Sequence, residues 1–193
     1  MTILKFAAFF MVAFAIGVPL YALPATLSLA PGYRPGIGEL TIHQAARQLK
    51  ASGKSGWELV EASRTLVGER MAYSRRNSFD SPSRAFERGY GYCMQHAYAL
   101  SYLLTELGFK AQVVQAFQNR FPDGKVTSHA WVSVKVEDEI RYIDALFYDK
   151  QKGRIDFTPI STVTNIPTVF KFFTFWGGPA VNAHRFYLTG RDF

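Results

Sequence analysis

Residues 89–108 read GYGYCMQHAYALSYLLTELG, and the spacing of apolar side chains in this stretch decides the architecture around it. Ala97, Leu100, Leu104 and Leu107 recur at the three- and four-residue steps of one helix face. Gly108 stands where a helix ends in the left-handed conformation. The helix therefore starts at Cys93, the single cysteine of the chain. A thiol at a helix first turn meets free backbone N–H groups and the positive end of the helix dipole, which favour a thiolate nucleophile. Gly89 and Gly91 just before it allow close approach of backbone or substrate. A lone cysteine elsewhere would read as a small buried hydrophobe.

Upstream, Ser74 to Tyr92 is polar and rich in Arg, Ser and Gly, with Pro82 in its middle, and reads as a long loop of the kind that carries function. Arg75, Arg76, Arg84 and Arg88 in it are either binders of an acidic substrate group or a solvated set. Ser55 followed by Glu58 predicts a capping box opening a helix from Gly56 to about Tyr73, and Thr41 to Ala51 predicts another helix. Ser28 to Gly38 holds Pro31, Gly32, Pro35 and Gly36 and reads as a linker. A folded domain is expected over 39–193.

Downstream, Ala111 to Phe117 predicts a strand, and Phe121-Pro122-Asp123-Gly124 a turn. From His129 to Val136 the period is two: Ala130, Val132, Val134 and Val136 share one face, His129, Trp131, Ser133 and Lys135 the other. A turn near Glu137 and Asp138 sends the chain back over Arg141 to Phe147. An even-numbered turn makes cross-strand residue numbers sum to an odd value, about 273 to 275 here, so Asp144 lies opposite His129 or diagonal to it on one face. A three-residue turn would reverse that parity. A cysteine activated by a histidine that a carboxylate orients is the set that acyl transfer at an amide or ester requires. The candidate site is Cys93, His129 and Asp144. His96 reads as a helix-surface residue or one placed behind the site rather than a metal ligand. His43 and His184 stand isolated. Pro167 to Trp176 carries five aromatics in ten residues and reads as a core-covering strand in preference to an aromatic binding or membrane-contact surface.

Composition bounds the rest. The 193 residues are 48% hydrophobic, 16% aromatic and 19% charged, which suits one globular domain and excludes disorder over most of the length. One cysteine excludes an intramolecular disulfide and a multi-cysteine zinc or iron-sulfur site, and no cofactor is implied. The net charge of +7 is spread along the chain rather than striped with aromatics, so no nucleic-acid partner is expected. Phe6 to Leu23 is an uncharged run of 18 residues behind Lys5. As a helix it would extend for about 27 Å, close to a bilayer core. Residues 1–27 are thus a signal peptide or a membrane anchor, 28–38 a linker. Lys5 on the cytoplasmic side places the domain outside the cytoplasm, exported or anchored, with the membrane a partner through this segment if it is uncleaved.

The run Gly89-Tyr90-Gly91-Tyr92-Cys93, the leucines that follow, His129-Ala130-Trp131-Val132 and Ile143-Asp144 together resemble the transglutaminase-like superfamily over about residues 56–147. The resemblance implies an α+β fold: a papain-like core in which the cysteine opens a helix packed on an antiparallel sheet carrying the histidine and aspartate, here preceded by an N-terminal hydrophobic helix. It implies Cys93 as nucleophile, His129 as general base and Asp144 as its orienting residue. The implied activities are acyl transfer or hydrolysis at an amide bond of a protein or peptide substrate, hydrolysis slightly favoured. Accessory β domains and an evident calcium loop are missing, so calcium-dependent cross-linking is not expected. Arg88 to Cys93 also looks loosely like the arylamine N-acetyltransferases, but those are larger and cytosolic. The alternative class is a non-catalytic binding or scaffold protein at the membrane surface that retains the fold.

Overall fold

A computed structural model of the chain describes residues 2–29, 32–166 and 168–191. It divides into two units: one takes in the chain up to residue 32, Ser74–Phe79 and the chain from residue 167, the other Tyr33–Tyr73 and Asp80–Ile166. In order, the elements are α1 (Thr2–Ser28), α2 (Ile42–Ala51), α3 (Gly56–Arg70), β1 (Ala72–Tyr73), α4 (Pro82–Arg88), β2 (Tyr90–Gly91), α5 (Cys93–Glu106), β3 (Lys110–Arg120), β4 (Val126–Val136), β5 (Glu139–Ile143), β6 (Tyr148–Asp149), β7 (Arg154–Ile155), β8 (Thr158–Pro159), β9 (Thr164–Asn165) and α6 (Thr168–Thr189). The architecture is α+β, with helices on an antiparallel sheet and an apolar helix ahead of them, as the sequence implies.

The helix starts follow their caps, with two departures from expectation. Thr41 caps α2 reciprocally: Gln44 N donates to Thr41 Oγ1 at 3.2 Å and Thr41 N to Gln44 Oε1 at 2.8 Å. Ser55 occupies the cap of α3 but makes no side-chain cap bond, and the Glu58 carboxylate, the other half of the expected box, pairs with Lys54. Helix α3 stops at Arg70 rather than Tyr73, since Met71 turns extended and Ala72–Tyr73 pair in parallel with Tyr90–Gly91. The second departure is the expected loop over 74–92, which contains α4. Pro82 opens that helix, where its fixed φ suits the first turn and its missing N–H goes unneeded. Ser81 Oγ accepts from Arg84 N at 3.2 Å, and Gly89 ends the helix at φ 76°. A side chain at Gly89 would run into Ile37 and lie 3.0 Å from the Arg70 carbonyl, so glycine is required there twice over.

Residues 33–38, expected as linker, belong to the second unit and are hydrogen-bonded within it. Arg34 N donates to Arg88 O at 2.7 Å, and the Arg70 guanidinium donates to the carbonyls of Ile37 and Gly38, each at 3.1 Å. Pro31 of the expected linker lies outside the described residues, as does Pro167. The aromatic run beyond Pro167 is helical, not a strand: α6 starts at Thr168. It packs along α1, and as a helix it satisfies its backbone internally.

The sheet of the second unit has the order β5-β4-β3-β8, with β9 also paired to β3. Strand β4 is buried on both faces from His129 to Val134, so the two-residue period read from sequence marks two packed faces rather than a wet and a dry one. Trp131 is fully buried with Val114, Ala116, Phe121 and Phe157. Helix α5 packs across β3 and β4, with α2, α3 and α4 around it. Leu100, Leu103 and Leu104 are completely buried on it, and each such side chain contributes about 1.5–3 kcal/mol by burial. That packing anchors the helix whose first residue is Cys93.

Candidate active site

Cys93 is the first residue of α5 and is half-buried. Its position is held from the helix interior. Gln95, fully buried, accepts the Tyr92 N–H at 3.1 Å through Oε1 and donates to Asp80 O at 2.8 Å through Nε2. One glutamine thus caps α5 and ties its first turn to the segment leading into α4. Sequence reasoning missed Gln95, although a glutamine three residues past a helix boundary is half of a capping box. His96 is buried, not on the surface: Nε2 lies 3.0 Å from Met71 O, Nδ1 3.2 Å from Tyr92 O, and the ring stacks on Tyr73. Burial holds its pKa below the ordinary value. Burial likewise raises the pKa of the Tyr92 phenol, with Cys93, Tyr73 and Tyr98 adding to the effect.

His129 comes from β4 and Asp144 follows β5 directly. The β4–β5 register pairs Val132 with Ile143 and Val136 with Glu139, leaving a two-residue turn in which Glu137 takes φ 52°. The even turn puts His129 and Asp144 on one face, and the register sets them diagonally. Nε2 of His129 and Oδ2 of Asp144 are 2.5 Å apart, and both side chains are 4% exposed. The other carboxylate oxygen accepts the amides of Leu146 at 2.6 Å and Phe147 at 3.1 Å. Asp144 is therefore fixed by its own chain before it meets the imidazole. Helix α3 presses on the same corner: a side chain at Gly68 would be driven into the carbonyl oxygen of Ala145.

Aromatic rings enclose the imidazole, with Phe121, Phe147 and Phe157 edge-on at centroid distances of 5.6, 5.3 and 5.1 Å and Trp131 stacked at 6.3 Å. Burial by itself would lower the pKa of His129. The charge and hydrogen bond of Asp144, and then the hydrogen bond and charge of Cys93, outweigh it and raise the value to about 10. Because Nε2 is engaged by Asp144, Nδ1 is the nitrogen left to the thiol. Cys93, His129 and Asp144 are thus brought into one cluster in the second unit, and the three phenylalanines that wall it carried no signal in the sequence.

Three of the four loop arginines have partners within the protein. Arg75 donates to Arg191 O at 3.0 Å, Arg84 pairs with Glu87 at 2.9 Å, and Arg88 with Asp80 at 3.2 Å. His43 faces Glu106 at the surface, and His184 meets Tyr21.

Two solved structures are similar at low identity. A candidate cysteine protease of Cytophaga hutchinsonii is 14% identical with a TM-score of 0.45, over 69% of this chain and 52% of that one, so the chain spans about half of its length. LapG of Legionella pneumophila is 18% identical with a TM-score of 0.42, over 72% of this chain and 86% of that one. No curated protein matches. The family model matches residues 43–145, more than half of the chain, from the second residue of α2 to just past Asp144, and on that ground the chain belongs to the transglutaminase-like superfamily.

Proposed function

We propose that this protein is a cysteine enzyme that cleaves or transfers an acyl group at an amide bond of a protein or peptide, with Cys93 as nucleophile, His129 as general base and acid, and Asp144 as the residue that orients it. The observation that carries the reading is the buried His129–Asp144 pair at 2.5 Å, with Cys93 among the groups that raise the imidazole's pKa. Nδ1 of His129 takes the thiol proton, and Sγ of Cys93 attacks the amide carbon. The C–N bond breaks as the imidazolium returns that proton to the leaving amine, giving a thioester. The N–H of Cys93, at the first position of α5, has no acceptor within its own helix and suits the oxyanion. Water deprotonated by His129 then releases the acid, or an amine takes the acyl group; hydrolysis is the favoured outcome.

With His129 raised to about 10, the imidazolium persists through neutral pH, and the alkaline limb of the rate profile falls near pH 10. The test is iodoacetamide alkylation of Cys93 across pH 5–10 in the native chain, in His129→Ala and in Asp144→Asn, each checked for fold by circular dichroism. Alkylation at pH 7 slowed at least about tenfold in a folded His129→Ala chain supports the pair. Equal rates in all three chains would overturn the enzyme reading.

A further inference from the structure

Within the first unit, α6 grips α1 at Pro24, one of the two prolines inside that helix. Pro24 has no N–H and crowds the carbonyl one turn back, so the ladder of α1 is interrupted there. The Tyr187 phenol of α6 donates to Tyr21 O at 2.7 Å and accepts from Ala25 N at 3.3 Å. These are the two groups that an unbroken helix would join to each other. The phenol therefore straddles the step beside Pro24, as a neighbouring helix does for proline-broken helices in membranes.

Further contacts run along the same seam. Tyr21 Oη lies 2.9 Å from His184 Nδ1, and Trp176 Nε1 donates to Ala15 O at 3.3 Å. Ala22, Ala25 and Ala183 are buried together where the two helices meet, and such small side chains let backbones come close. The other side of α1 is open among the described residues: Phe6, Phe9, Phe10, Ile16 and Leu20 are each more than half exposed. The apolar stretch Lys5–Ser28 has 24 residues, about 36 Å of helix against a bilayer core of about 30 Å.

We propose that α1 is a permanent bilayer anchor rather than a leader removed on export, with α6 clasping it through Tyr187, His184 and Trp176 and lipid acyl chains covering its outer face. A cut near Ala25 would remove both backbone partners of Tyr187 and the acceptor of Trp176, and would strip Ala183 of its cover. This inference stands apart from the proposed reaction and does not depend on it.

The experiment uses the full chain with a C-terminal tag, produced in export-competent bacterial cells. Intact mass should retain residues 2–28, and the protein should stay in carbonate-washed membranes and leave them only in detergent. In a Cys93→Ser background, Ala22→Cys with Ala183→Cys should cross-link with a short bifunctional thiol reagent at least fivefold faster than Leu20→Cys with Ala183→Cys. Adding Tyr187→Phe should slow the Ala22–Ala183 link at least twofold. A mature mass lacking the first 25 or so residues, release by carbonate, or equal linking from positions 20 and 22 would each overturn the proposal.

Discussion

Asp144 lies 2.5 Å from His129 although the two are not cross-strand partners: the ladder pairs Val132 with Ile143, and the carboxylate reaches the imidazole diagonally from just past the end of β5. That offset leaves Asp144 outside the ladder, where Oδ1 is free to accept the amides of Leu146 and Phe147. The carboxylate is pre-set by the chain that follows it, and the imidazole is aimed by the carboxylate.

Asp144→Asn keeps the size of the side chain but removes the charge that faces the imidazolium. Its expected effect is a loss of turnover, or of Cys93 alkylation at neutral pH, of up to about 10⁴-fold with the fold retained. Circular dichroism alongside the rate separates the outcomes: an unfolded Asp144→Asn chain would assign the residue a structural task.

Stability should depend on pH through His129. Its pKa is raised in the folded chain to about 10 from an ordinary 6.5. A folded-state pKa above the unfolded one means that the folded chain holds the proton more tightly, so the stabilisation is fully present below about pH 6.5 and is lost as pH rises toward 10. The difference in Tm between the native chain and His129→Gln should shrink across that window. A difference that stays constant would show that the imidazolium does not stabilise the fold.

Gly68→Ala places a methyl group against the Ala145 carbonyl, with backbone on both sides and nothing flexible to yield. Overpacking of this kind costs about 1–3 kcal/mol. Urea denaturation should register it as a lower midpoint, and because Ala145 adjoins Asp144, Cys93 reactivity should fall as well. An unchanged midpoint would mean that α3 is not pressed on this corner.

Gln95→Leu removes both the cap on Tyr92 N and the bond to Asp80 O while keeping the side chain's bulk. Leaving buried groups unpaired costs about 1–3 kcal/mol. Amide hydrogen exchange should quicken in the first turn of α5 and around Asp80 before it does in β4. Uniform exchange throughout would assign Gln95 no local role.

Much of the second unit was legible because its signals are local. Helical spacing ending at Gly108 located α5 and put Cys93 at its start; alternation from His129 to Val136 located β4; the two-residue turn fixed a parity that placed His129 and Asp144 on one face. Pro82 was misread because proline belongs to loops and to helix first turns alike, and only Ser81 before it and Gly89 after it resolve the choice. The capping box at Ser55 is absent on both sides: its hydroxyl makes no cap bond, and Glu58 pairs with Lys54.

By itself, then, the sequence determined the elements bearing Cys93 and His129, and a shared face for His129 and Asp144 on the condition of an even-numbered turn, since periodicity, caps and turn length act over a few residues. Only the tertiary structure decided which register the hairpin takes, that Phe121, Phe147 and Phe157 wall the imidazole, that Gln95 ties Tyr92 to Asp80, and that an aromatic run is a helix clasping α1 through Tyr187. Those depend on contacts between residues far apart in the chain, where burial, charge and hydrogen bonding compete, and no local period encodes which of them wins.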